Sequence, residues 1–338
     1  MSNSESFDYF DSIARNEQPA QKIDAKCHEK TSISGITTST IHRVDGRQES
    51  TGAAPLTDSG QFTPRINVYE NIPFAGGDGD YSILSVLFGS HSIGGGIFGF
   101  LTMIDSNKVR GLCEECRQAV MDFPWMDTVS IIKGSVQAWR AAFPVARAVN
   151  VSARNDIIDA DFVHIRGDAR VRLHTVNMSE CSNVTDAAFV HLHGIHTLYM
   201  RGCNQVTIAD AAFVHLPGIH TLDMFNCYQV TITDAAFVHL HGIHALYMSG
   251  CNQAAITDAA FVHLRGIHTL YMSGCNQATI TDAAFVHLRG IHTLDMSDCN
   301  QMTITNAALI HLAGIKSLST MRCRRDVHIA ASNLLGVH

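Results

Sequence analysis

The run IHTLYMSGCNQATITDAAFVHLRG, Ile267 to Gly290, decides the fold. Leu270 and Met272 alternate with Thr269, Tyr271 and Ser273, the two-residue period of a short strand with one buried face. Cys275 ends the strand and turns inward, where its small, weakly polar side chain can meet a backbone group beneath the loop. Thr281 then reads as a helix N-cap, with Asp282 at the positive end of the helix dipole. Ala284, Phe285 and Leu288 supply the inner stripe of a short helix. Gly290 suits the left-handed stop after it.

This unit is copied along the chain. Cys203, Cys227, Cys251, Cys275, Cys299 and Cys323 stand 24 residues apart, and Cys181 precedes Cys203 by 22. Upstream, Val149, Val151 and Arg154 fit the template in degraded form, followed by a five-residue insertion near Asp168–Arg172. About eight strand units result, ending at residues 318–320. A period of about 20–29 residues with apolar positions at fixed offsets is the leucine-rich-repeat signature. One unit cannot bury its apolar face alone, so stacking builds the core and stability becomes nearest-neighbour in character. The expected fold is α/β: a right-handed solenoid with a concave strand face and helices on the convex side.

The rest of the chain divides around this array. Residues 1–70 are rich in Ser, Thr, Gln, Asp and Glu without a sustained period, and are expected to be disordered. Residues 71–143 open with GGDGD and GGG and continue into a stretch of helical spacing; residues 144–338 are the repeat domain. The longest apolar run, Tyr81 to Ile104, is broken by Gly89, His91 and Gly94 to Gly96, so no segment reaches the roughly 18–20 apolar residues of a membrane span. The amino terminus lacks a basic region followed by an apolar core, which argues against a secretory signal. A net charge of −7 argues against nucleic acid as a partner.

Ten cysteines invite a disulfide reading, yet seven share one repeat position, and an odd parallel column cannot pair completely. Reduced thiols in a cytoplasmic or nuclear compartment are therefore expected.

The pattern I-x-x-L-x-M-x-x-C-x4-I-T-D-A-A-F-x-x-L resembles the cysteine-containing subclass of leucine-rich repeats, common in F-box proteins. The resemblance covers roughly residues 145–325. Residues 97–125, IFGFLTMIDSNKVRGLCEECRQAVMDFPW, are similar to the last two-thirds of a degenerate F-box: Ile97, Phe98 and Leu101 match its first apolar element, Asp105 the Asp after it, Leu112, Cys113, Cys116 and Arg117 its middle, Pro124 and Trp125 its end. The usual Leu-Pro start is not there; the nearest pair is Ile72-Pro73. Trp139, Phe143 and Pro144 resemble the lead-in strand and cap of the first repeat. The resemblance implies that Ile97, Phe98, Leu101, Leu112, Pro124 and Trp125 bind a Skp-type linker joined to a cullin scaffold. The chain would then be the substrate-recognition subunit of an SCF-like ubiquitin ligase. The alternative is an interaction module without ubiquitin linkage, its helices only capping the solenoid.

Other constellations point away from chemistry. His191, His215, His239, His263, His287 and His311 form one column, and His196, His220, His244, His268 and His292 another. One imidazole per rung does not converge as zinc requires. Protonation of such ladders would be mutually repulsive, so acid sensitivity is expected. Cys113-Glu-Glu-Cys116 is a lone CxxC whose sulfurs can face a helical core. The Gly-rich stretches lack phosphate-loop spacing. No catalytic residue, metal or cofactor is expected. The positive candidate is the strand face, where Tyr199, Arg201, Asp223, Phe225, Tyr247, Tyr271 and Asp295 carry the variation among otherwise uniform repeats; aromatic and Arg side chains are the types that anchor protein interfaces.

Overall fold

A computed structural model describes residues 101–167 and 171–335. The expectations for residues 1–70, the Gly-rich stretch, and Ile97 and Phe98 lie outside the described residues.

Eight three-residue strands form one parallel sheet in chain order: β1 Ala148–Asn150, β2 Thr175–Asn177, β3 Thr197–Tyr199, β4 Thr221–Asp223, β5 Ala245–Tyr247, β6 Thr269–Tyr271, β7 Thr293–Asp295 and β8 Ser317–Ser319. Each strand pairs with the equivalent residues of the next, Leu246 with Leu270 and Tyr247 with Tyr271. Equivalent residues are 27 apart from β1 to β2 and 22 apart from β2 to β3, against 24 from β5 to β6, so the short repeat falls where the cysteine spacing puts it. Residues 168–170 of the expected insertion lie outside the described residues. This is a leucine-rich-repeat solenoid.

Longer helices flank the array, and within the regular repeats the helix side is built from short turns. Helices α1 Met103–Arg110, α2 Glu114–Asp122, α3 Val136–Ala142 and α4 Asp161–Arg166 come first. Four-residue helices α5 Asp186–Phe189, α6 Asp210–Phe213, α7 Asp234–Phe237 and α8 Asp258–Phe261 follow. In the next two repeats 3-10 turns replace them, Asp282–Leu288 and Asn306–Leu312, before α9, Arg325–Leu335. Thr281 caps its turn by accepting from the Ala283 N–H, as its position in the unit predicts. Gly290 adopts φ 82°, the left-handed stop.

Packing repeats with the sequence. Phe189, Phe213, Phe237, Phe261 and Phe285 form a fully buried column at one repeat position, and Leu198, Leu222, Leu246, Leu270 and Leu294 are buried in the sheet. Burying each such side chain contributes about 1.5–3 kcal/mol. Cys275 turns inward and its thiol donates to the Met248 carbonyl of the preceding repeat at 3.1 Å. The other six column cysteines make the same bond, Cys181 to the Val151 carbonyl and Cys323 to that of Met296. The nine cysteines among the described residues are free thiols.

The amino-terminal helices close the open end of this stack and share its core. The Trp125 carbonyl accepts from the N–H groups of Arg147 and Ala148, and the Ile132 N–H donates to the Asn150 carbonyl, so residues 125–132 cover the edge of β1. Trp139 and Phe143 belong to α3 and its C-cap, not to a lead-in strand. Arg140 lies buried without a carboxylate; it donates to the carbonyls of His164, Ile165 and Ala146 and so caps the end of α4. Burial pushes its pKa down to about 10.

Candidate functional site

The alternation that buries Leu270 and Met272 sends Thr269, Tyr271 and Ser273 to the opposite face. Parallel register then lines up Tyr199, Asp223, Tyr247, Tyr271 and Asp295 in one row across five strands. Tyr247 and Tyr271 stack with ring centroids 4.9 Å apart and planes 11° from parallel. Half-burial raises the Tyr247 pKa, with smaller contributions from Tyr271, Asp223 and Tyr199.

Asp223 departs from the expectation of an exposed acid. It is 1% exposed, lies beneath Arg201 and accepts from the Arg201 Nε at 2.5 Å. Its second oxygen takes the Phe225 N–H. Burial raises its pKa, and Arg201 opposes the rise. This rung therefore presents Arg201 and half-buried Phe225 to solvent, not the carboxylate. Thr197, Ala245, Ser249 and Ser297 are also buried despite their outward alternation, because small side chains sink between larger rows. Tyr199, Tyr247, Tyr271 and Asp295 are partly exposed, and Arg201 is exposed.

The row ends at a polar cleft of about 330 Å³ whose walls include Thr128, Asn177, Ser179, Glu180, Tyr199 and Arg201. Glu180 sits in the turn after β2 at φ 60°, in the left-handed region. Asn226, Asp298 and Arg322 occupy the same turn position in later repeats, also with positive φ, while Gly202, Gly250 and Gly274 fill it in the others. Gly202 and Gly250 leave room for their neighbours: an added Cβ would come within 3.4 Å of Glu180 Cγ and 2.2 Å of Asn226 Oδ1.

The residues expected to bind a linker separate. Trp125 is buried, donates from its indole N–H to the Val120 carbonyl and packs edge-on against Phe123 and Phe143. It holds the cap together and offers no contact surface. Leu101 is partly buried against the same core, whereas Leu112 and Pro124 are exposed, beside exposed Ile104 and Met126. Cys113 does not face the core: it is the half-exposed N-cap of α2, its sulfur accepting from the Cys116 N–H at 3.3 Å, while Cys116 is buried.

The histidine column at the strand entrance extends one rung beyond the five that the 24-residue spacing marks. It begins at His174 and runs through His196, His220, His244 and His268 to His292, with ring centroids 4.3–4.6 Å apart. His174 was missed because its repeat is two residues short. In each rung except His244, whose next residue is Ala245, the Nδ1 pairs with the hydroxyl of the following Thr. Among the described residues no group of three or more His, Cys, Asp or Glu could hold a metal ion. No described helix is long and apolar enough to cross a membrane.

No family model matches the chain, and no curated protein matches it. Among solved structures, TLR13 in complex with ssRNA13 is similar over 56% of this chain and 26% of that one, at 16% identity and a TM-score of 0.45. The Drosophila Toll–Spatzle complex is similar over 65% and 30%, at 10% identity and a TM-score of 0.48. Human 5T4 is similar over 51% and 67%, at 17% identity and a TM-score of 0.40. The chain spans less than a third of the first two.

Proposed function

We propose that this chain is a protein-binding module whose strand face holds a partner through Tyr199, Tyr247 and Tyr271, with Arg201, Phe225 and Asp295 at its margins. The stacked, half-exposed Tyr247–Tyr271 pair on a hydrogen-bonded parallel sheet carries the reading. Such rings offer large contact area on a backbone that loses little freedom on binding. The reading assigns binding, not catalysis, to the face. The test is affinity purification with the full chain beside a Tyr247→Ser/Tyr271→Ser variant and a helix-face Val238→Glu variant. A partner kept by the Val238 variant and lost by the tyrosine variant supports the reading; one lost by the Val238 variant alone rejects it.

A second reading adds the ubiquitin link. Exposed Leu112 and Pro124, beside Ile104 and Met126, give the cap an apolar outer surface that a Skp-type linker and cullin scaffold could engage in a reducing cytoplasm or nucleus. The chain would then bring a target to a separate conjugating enzyme, acting through proximity. Pull-down with purified linker decides it: association sensitive to Leu112→Glu supports the adaptor, and none with a folded chain leaves the helices as a cap.

A further inference from the structure

The unbalanced charge on the strand face is acidic and sits at two points. Arg201 is neutralised by Asp223, and Arg322 by Asp298 at 2.9 Å. Glu180 and Asp295 have no ion-pair partner among the described residues. Glu180 stands in the polar cleft, held in a left-handed turn that most residues avoid, with its side chain lying across Gly202. The Asp295 carboxylate accepts the Ser297 N–H, and the residue stays partly exposed. Tyr247 and Tyr271 lie between the two acids.

The spacing of these features defines an occupant. Glu180 follows β2 and Asp295 lies in β7, five strand steps away, or about 24 Å at roughly 4.8 Å per step. An extended chain covers that in about seven residues at roughly 3.3 Å each. We infer that the strand face takes an extended segment of a partner protein bearing two Lys or Arg side chains about seven residues apart, one entering the Glu180 cleft and one reaching Asp295. Apolar side chains between them rest on the Tyr247–Tyr271 pair. Arg201, which lines the cleft with its Nε held by Asp223, donates a terminal N–H to a carbonyl of the segment. The inference rests on the protein-binding reading above and adds the chemistry of the partner.

The test is fluorescence anisotropy of the full chain with labelled eight-residue peptides. One carries lysine at both ends around a Leu-Gly-Leu centre, a second carries glutamate at both ends, and a third has lysines three residues apart. The lysine-ended peptide is expected to bind at least tenfold more tightly than either control. Glu180→Gln and Asp295→Asn are each expected to weaken it at least threefold, with the melting temperature of each variant reporting intact folding. Equal binding of the lysine and glutamate peptides, indifference to both substitutions, or no binding of any peptide overturns the inference. A partner captured through the tyrosines without such a charge preference would leave the binding module standing and remove only this assignment.

Discussion

Asp258 holds Thr281 of the next repeat by both of its oxygens: Oδ1 accepts the Thr281 N–H and Oδ2 the Thr281 hydroxyl, each at 2.7 Å. The same hydroxyl accepts from the Ala283 N–H, so one threonine caps its own helical turn while tied to its neighbour's. The clamp recurs from Asp159 to Thr185, Asp210 to Thr233, Asp234 to Thr257 and Asp282 to Thr305. It is incomplete once: Asp186 faces Ala209 and receives only a backbone N–H.

Ala209→Thr should complete the missing clamp. The new hydroxyl would meet the second Asp186 oxygen and cap α6, which has no side-chain cap bond. A gain of about 0.5–1.5 kcal/mol is expected from one added hydrogen bond. Thr281→Val, which removes both hydroxyl bonds, should cost about 1–2 kcal/mol. Denaturant unfolding of the two variants checks both, and a destabilised Ala209→Thr would contradict the clamp.

Much of this was legible in the repeat. Strand, inward cysteine, Thr cap and Gly stop all follow from the 24-residue pattern, because each depends only on neighbours within one unit. The Asp–Thr clamp is not legible there, because it joins side chains 23 residues apart that only stacking brings together. The burial of Asp223 is hidden for the same reason: it comes from Arg201, just past the adjacent strand β3. Trp125 resembles an F-box position in sequence, but in the fold its indole is buried in the cap and its carbonyl covers the edge of β1, a role that depends on β1 and not on the local motif.

Arg140 should tolerate no replacement that shortens its fork. Arg140→Lys leaves buried carbonyls of Ile165 and Ala146 without a donor, at a cost of about 1–3 kcal/mol for each unsatisfied group. Gly167→Ala should act on the same group, since its Cβ would fall 2.9 Å from Arg140 Nε at a residue with φ 68°. Melting temperatures check this; a neutral Arg140→Lys would show that α4 does not depend on the cap.

Acid should loosen the solenoid. Burial, then neighbouring imidazoles, lower the pKa of His220 and His244; for His174 burial acts first, then His196 and Arg147. The folded state thus binds these protons less readily than the unfolded chain. Their contribution is complete above the unfolded value of about 6.5 and is lost as pH falls from there through the lowered folded values. Melting temperature should drop between pH 7.5 and 5.5, and His220→Gln/His244→Gln should flatten the slope. A level profile in the unmodified chain would reject the coupling.

The cysteine column should be chemically silent. Burial raises the pKa of Cys203 and Cys275 to about 12 and that of Cys181 to about 11, and each thiol is hydrogen-bonded to a carbonyl. In the native protein a thiol reagent should modify half-exposed Cys113 and leave Cys181 through Cys299 untouched until the chain is unfolded. Mass mapping of the labelled protein settles it; native labelling of Cys251 or Cys275 would mean the repeats open readily.

The central claim is that the tyrosine row on the strand face makes the contact. Its most direct test is the affinity of an identified partner for the full chain and for Tyr247→Ala/Tyr271→Ala, measured by titration calorimetry beside Val238→Glu on the helix face. Loss of two interface aromatics should weaken binding by about 2 kcal/mol or more, a thirtyfold rise in Kd, with the helix-face variant unchanged. Unchanged affinity in a folded double tyrosine variant would contradict the account.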